Sequence, residues 1–141
     1  MHYTLTHYDV PFVEATEWRL LVNGAVGNPL TLALDDLQRR RTRTLRVTLE
    51  CAGNGRGLLH PRPISQPWLA GGVGTAEWTG TSLREVLEEA HLDSTATTIV
   101  FSGLDHGIEG GVEQDYQRAL RLEEALHEDL QIGRASCRER V

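Results

Sequence analysis

The stretch from Thr44 to Arg56 constrains the fold most. Leu45, Val47 and Leu49 alternate with Thr44, Arg46 and Thr48, the period-two pattern of a half-buried strand. Continuing the alternation places Cys51 on the apolar face at the strand's end, and Ala52-Gly53-Asn54-Gly55-Arg56 follows as a turn. Glycines there let the main chain bend closely around the sulfur. A cysteine so placed has three uses: a small buried hydrophobe, a thiolate nucleophile or a soft metal ligand.

The bounds on function are plain. A chain of 141 residues suits one small domain or part of a larger one. A formal charge of −6 argues against a nucleic-acid binder, which carries a basic patch. All fourteen basic residues are arginine. Two cysteines give neither a disulfide framework nor a C-x-x-C zinc pattern. No apolar run is long enough to span a membrane. A soluble protein of bacterial type, cytoplasmic or periplasmic, is expected.

The last ten residues, Ile132 to Val141, resemble the translation of a sequencing-adapter oligonucleotide and show no apolar periodicity. The expected organisation is a domain segment over 1–131 and a non-native tail over 132–141, the tail being set aside in reasoning about the fold.

Along the chain, Met1 to Pro11 reads as an extended leading segment. Alternation at Trp18, Leu20 and Val22 predicts a strand, Asn23-Gly24 a turn, and Leu30, Leu32 and Leu34 a second strand. Asp35-Asp36-Leu37 opens a short helix, its two acids suited to the positive end of the dipole. Gly53 to Gly74 reads as a long loop carrying Arg56, His60, Arg62 and Trp68, and Gly71 to Gly74 as a turn rather than a phosphate loop. Ser82-Leu83-Arg84-Glu85 is a capping box ahead of an amphipathic helix over 82–91. Thr97 to Phe101 predicts a buried strand that ends in a loop from Ser102 to Gly107, and Leu120 to Leu130 a last helix. The fold class is α/β in the mixed α+β sense.

Cys51, Arg56, Trp68 and Asp105 are thereby expected on loops flanking strands and helices. A cysteine nucleophile needs a histidine base, for which His60 and His106 are candidates in a cysteine-dependent hydrolase. A zinc site needs three or four ligands. A single thiolate also suits a metal already chelated by a small cofactor, with arginines receiving an anion. Composition leaves these open.

Leu49-Glu50-Cys51-Ala52-Gly53-Asn54-Gly55-Arg56, Pro61-Arg62-Pro63, Pro67-Trp68, Gly74 to Gly80 and Gly103-Leu104-Asp105 together resemble the molybdopterin-binding domain of the sulfite oxidase family. Thr6 to Pro11 and Trp18-Arg19-Leu20 match that family's leading segment, and the resemblance covers Tyr3 to Leu130. It implies a sulfite-oxidase-like fold, incomplete here, and an oxidoreductase that performs oxygen-atom transfer with a molybdenum–molybdopterin cofactor. Carried over by position, Cys51 is the metal ligand, and Arg56 and Trp68 line the reacting pocket. Asp105 contacts the pterin, while Tyr3 and His7 lie in the segment lining the cofactor. The implied substrate is a small oxyanion or other oxygenated small molecule, and the implied electron acceptor is a group such as a cytochrome. Leu5 stands where sulfite-oxidising members carry an arginine, which leaves room for a neutral substrate. The family's later cofactor contacts and dimerisation domain have no counterpart in these residues, so the parent is expected to be an enzyme and homodimer and this polypeptide an inactive fragment. The rival outside enzymology is a cofactor-free binding or scaffold module on the same fold.

Overall fold

The structure is a computed structural model that describes residues 3, 5–8, 10–65 and 67–136. Its elements run β1 (Arg19–Val22), β2 (Leu30–Ala33), α1 (Leu34–Gln38), β3 (Thr42–Glu50), a 3-10 turn (Arg56–Leu58), β4 (Val73–Ser82), α2 (Leu83–Glu89), β5 (Thr98–Glu109), β6 (Val112–Arg121), α3 (Leu122–Ala125) and β7 (Gln131–Ser136). The mixed α/β class follows. The described residues divide into two compact units: those within 1–5, 44–79 and 133–136 form one, and those within 6–43 and 80–132 the other. Among the described residues no helix is long and apolar enough to cross a membrane.

The first unit is built on the sheet β3-β4-β7. Side-chain pairs Thr44–Thr79, Arg46–Glu77 and Thr48–Thr75 step in opposite directions along β3 and β4, so these strands are antiparallel. The two threonine pairs hydrogen-bond at 2.8 Å on an exposed polar face. Leu45, Val47 and Cys51 are half-buried as the alternation predicts, whereas Leu49 is exposed. Strand β7 crosses the boundary drawn at Gln131 in the sequence; residues 137–141 of the expected tail lie outside the described residues.

The second unit holds the core. β1 and β2 form an antiparallel hairpin, with Leu20 facing Leu32 and Val22 facing Leu30. Helix α2 starts where the sequence places it: Ser82 Oγ accepts from the Glu85 N–H at 3.4 Å. Its apolar spacing serves two clusters. Val86 packs with Leu32 and Leu37, joined by Trp18, Leu20 and Val22. Leu83 and Leu87 pack with Ala125, joined by Ile99 and Leu120.

Two expectations are corrected here. The strand predicted over Thr97 to Phe101 does not give way to a loop at Ser102; β5 continues to Glu109, with a register shift between Ser102 and His106. Nor is Leu120 to Leu130 a helix. Leu120 pairs with Ile99 in the β5–β6 ladder, and only Leu122–Ala125 is helical. The ladder satisfies Leu120's backbone and half-buries its side chain at once, which outweighs the 3–4 spacing of Leu122, Ala125 and Leu126. Gly110 and Gly111, at φ of 59° and 81°, close the hairpin as a two-residue turn. Val100, Leu104, Ile108 and Val112 stand exposed along it.

Candidate active site

Strand β3 ends in a turn that wraps the sulfur of Cys51. The Cys51 N–H donates to Gly72 O at 2.7 Å, and Cys51 O accepts from the Asn54 N–H at 2.8 Å. The Gly53 N–H points at Cys51 Sγ, 3.4 Å away. Gly55 takes φ of 79°, a left-handed conformation that favours glycine, and the chain then enters the 3-10 turn at Arg56.

Three of the residues singled out in the sequence converge on Gly53. A Cβ placed there would lie 3.6 Å from Cys51 Sγ, 3.8 Å from Trp68 Cδ1 and 4.0 Å from Arg56 Cδ. The hydrogen bond from the Gly57 N–H to Trp68 O, 2.8 Å, ties the 3-10 turn to the segment bearing the indole. Tyr3 meets Trp68 edge-on, with ring centroids 6.0 Å apart. Cys51, Arg56, Trp68 and Tyr3 thus form one cluster in the first unit. Arg56 is exposed and makes no ion pair among the described residues. Trp68 Nε1 is buried without a hydrogen-bond partner among them. An orphaned buried donor marks a position for an acceptor. His60, in the same unit, is exposed.

The donor set fits the group that the resemblance implies. Among the described residues no three His, Cys, Asp or Glu side chains gather as metal ligands. A lone thiolate such as that of Cys51 suits a soft metal whose other positions a small cofactor fills. The glycine-lined space beside it, the indole N–H and the guanidinium suit an oxygen-rich, anionic neighbour.

His7 and Asp105 belong to the second unit. His7 Nε2 lies 3.1 Å from Glu109 Oε2, and its ring packs on Tyr8 and Tyr116. With Asp115 and Arg118, whose guanidinium stacks 4.2 Å over Tyr116, they line an open cavity of about 340 Å³. Asp105 sits half-buried at the β5 irregularity instead of on a loop. Its carboxylate folds back against Gly103, filling the space a Cβ there would take. Neighbouring His106 is bracketed, Nδ1 to Asp115 at 2.8 Å and Nε2 to Glu113 at 2.9 Å. Those bonds, Asp115's first, hold its imidazole above the ordinary value. Reasoning from sequence missed this bracket and the Tyr116 and Arg118 cavity. The signal was the acid-rich alternation Glu113, Asp115 facing His106 across a Gly-Gly turn.

Comparison with known proteins shows the family. The family model for the oxidoreductase molybdopterin binding domain matches residues 7–134. Sulfite oxidase of Gallus gallus is 37% identical over 129 residues, covering 85% of this chain and 28% of that protein. The NADH nitrate reductase of Lotus japonicus is 33% identical over 132 residues, covering 89% of this chain and 15% of that protein. The chain thus spans under a third of the length of either relative. The sulfane dehydrogenase SoxCD from Paracoccus pantotrophus shares the fold at a TM-score of 0.68 and 22% identity, covering 89% of this chain and 31% of that one.

Proposed function

The chain belongs to the oxidoreductase molybdopterin-binding domain family, with sulfite oxidase and nitrate reductase among its relatives, and on that premise we propose that Cys51 is the protein's thiolate ligand to a molybdenum–molybdopterin cofactor in an oxygen-atom-transfer enzyme. When bound, that group supplies the exchange of one oxygen atom and two electrons with substrate. The observation that carries the reading is the approach of Cys51 Sγ, Trp68 and Arg56 to one point beside Gly53.

The chain's own residues then divide the work. The Gly53 N–H stabilises negative charge on Sγ by a charge-assisted bond. The orphaned Trp68 N–H donates to an oxygen at the site. Arg56, free of carboxylate partners among the described residues, receives a small oxyanion or other oxygenated substrate through its paired donors. Tyr3 packs edge-on against the indole. His7 and Asp105 are the remaining pterin contacts that the family resemblance implies, and electrons leave to an acceptor such as a cytochrome.

The test is metal content. The protein, with any further coding sequence of its gene, is produced in a host that makes the cofactor, and molybdenum is counted per chain. The expected result is close to one atom per chain, lost in Cys51→Ser, with Arg56→Ala keeping the metal but weakening substrate binding. A Cys51→Ser protein that retains full molybdenum overturns the proposal.

A further inference from the structure

Resting on the reading of Cys51 as the ligand, we infer that Asn54 is the residue that positions the Cys51 sulfur, acting through its side-chain amide and the Gly53 N–H. Both ends of that amide are engaged. Oδ1 accepts from the Gly72 N–H at 3.0 Å, and Nδ2 donates to Glu50 Oε1 at 2.8 Å. Gly72 in turn accepts from the Cys51 N–H, and Asn54's own N–H donates to Cys51 O. Four hydrogen bonds thus close a ring through Glu50, Cys51, Asn54 and Gly72, with the sulfur at its edge and the Gly53 N–H aimed at it.

The chemistry specifies asparagine. Gly72 offers a donor and Glu50 an acceptor, so the residue between them must accept and donate over a short reach. Aspartate would satisfy Gly72 but set a second carboxylate against Glu50. Alanine would release both. The packing is equally tight: a Cβ on Gly72 would meet Asn54 Oδ1 at 3.2 Å and Cys51 Cβ at 3.3 Å. The amide therefore fixes the turn's conformation, and the turn fixes where Sγ sits and which N–H faces it.

Amide exchange of the ¹⁵N-labelled full chain without cofactor tests this apart from the metal. In Asn54→Ala, the Gly72 and Gly53 amides should both exchange about tenfold faster. The β5–β6 ladder amides of Val100 and Ala119 should stay within about twofold of the parent. In Asn54→Asp, Gly53 should quicken while Gly72 stays protected. Adding Glu50→Gln should restore Gly53, because the pair then regains one donor and one acceptor. Should Asn54→Ala fail to fold, the aspartate variant and its partner decide the matter. Gly53 exchange unchanged in Asn54→Asp overturns the inference, as does a uniform acceleration of all amides or a double variant that fails to recover. A failure here with molybdenum still lost in Cys51→Ser removes Asn54 and leaves the ligand assignment standing. Molybdenum retained in Cys51→Ser removes the assignment whatever the exchange rates show.

Discussion

Gly57→Ala is the sharpest probe of how Trp68 is held. A Cβ at position 57 would lie 2.7 Å from Pro67 O, 3.0 Å from Trp68 O and 3.2 Å from Leu69 Cδ2. Two of those atoms are backbone carbonyls, which do not swing aside as a side-chain end can. The Gly57 N–H is also bonded to Trp68 O, so separating the segments loses that bond. Overpacking costs about 1–3 kcal/mol and a net hydrogen bond about 0.5–1.5, giving a loss of about 1.5–4.5 kcal/mol. Gly53→Ala is the internal control. Its methyl would meet Cys51, Trp68 and Arg56 only at ordinary contact distances, so its cost should stay within about 1 kcal/mol. Urea unfolding followed by far-ultraviolet circular dichroism reads both, compared at matched slopes. A Gly57→Ala loss no larger than that of Gly53→Ala would refute the claim that these carbonyls pin the indole.

Leu87→Ala empties a position 3% exposed between Leu83, Ala125 and Ile99 and should cost about 2–5 kcal/mol in the same assay; a smaller loss would mean that the helix settles into the gap. His106 should titrate above the ordinary imidazole value in an NMR pH series, and Asp115→Asn should lower its midpoint more than Glu113→Gln. Because the folded value is raised, the bracket's contribution to stability is complete below about pH 6.5 and is lost as pH rises through the folded midpoint. An unshifted midpoint in the parent would remove the bracket from solution.

The readable parts of the chain were those where burial and backbone agree. β1, β2 and β3 show alternation because one face of each is covered, and α2 begins at Ser82 because a hydroxyl there caps the Glu85 N–H. The β5–β6 hairpin was not legible beyond Phe101. Its far half exposes Leu104, Ile108 and Val112, so no covered face imposes a period-two pattern, and the Gly110-Gly111 turn was the one remaining signal. The apparent helix over Leu120 to Leu130 came from Leu122, Ala125 and Leu126, whose helical spacing holds for the single turn of α3 and its cap and extends no further. In the site, Cys51 and Arg56 follow from strand period and turn chemistry. Trp68 joins them only through tertiary packing, which no local pattern encodes, and Asn54's two-ended bridge depends on Gly72, eighteen residues on.

The glycines of the first unit show why a composition argument stops short of chemistry. By count they suggest no more than a long, turn-rich loop. In place, they have different causes. Gly57 is small because two carbonyls press on it, and Gly72 because the Asn54 amide and the Cys51 Cβ leave no room. Gly53 and Gly71 both face space that a methyl could enter, and at Gly53 that space is bounded by a sulfur, an indole and an arginine stem. Steric exclusion accounts for the first two with no reference to function. It does not account for Gly53, where alanine would fit the polypeptide. A methyl on Gly53 would stand beside the sulfur proposed to hold the metal, so Gly53→Ala should lower molybdenum occupancy while leaving the unfolding midpoint near that of the parent.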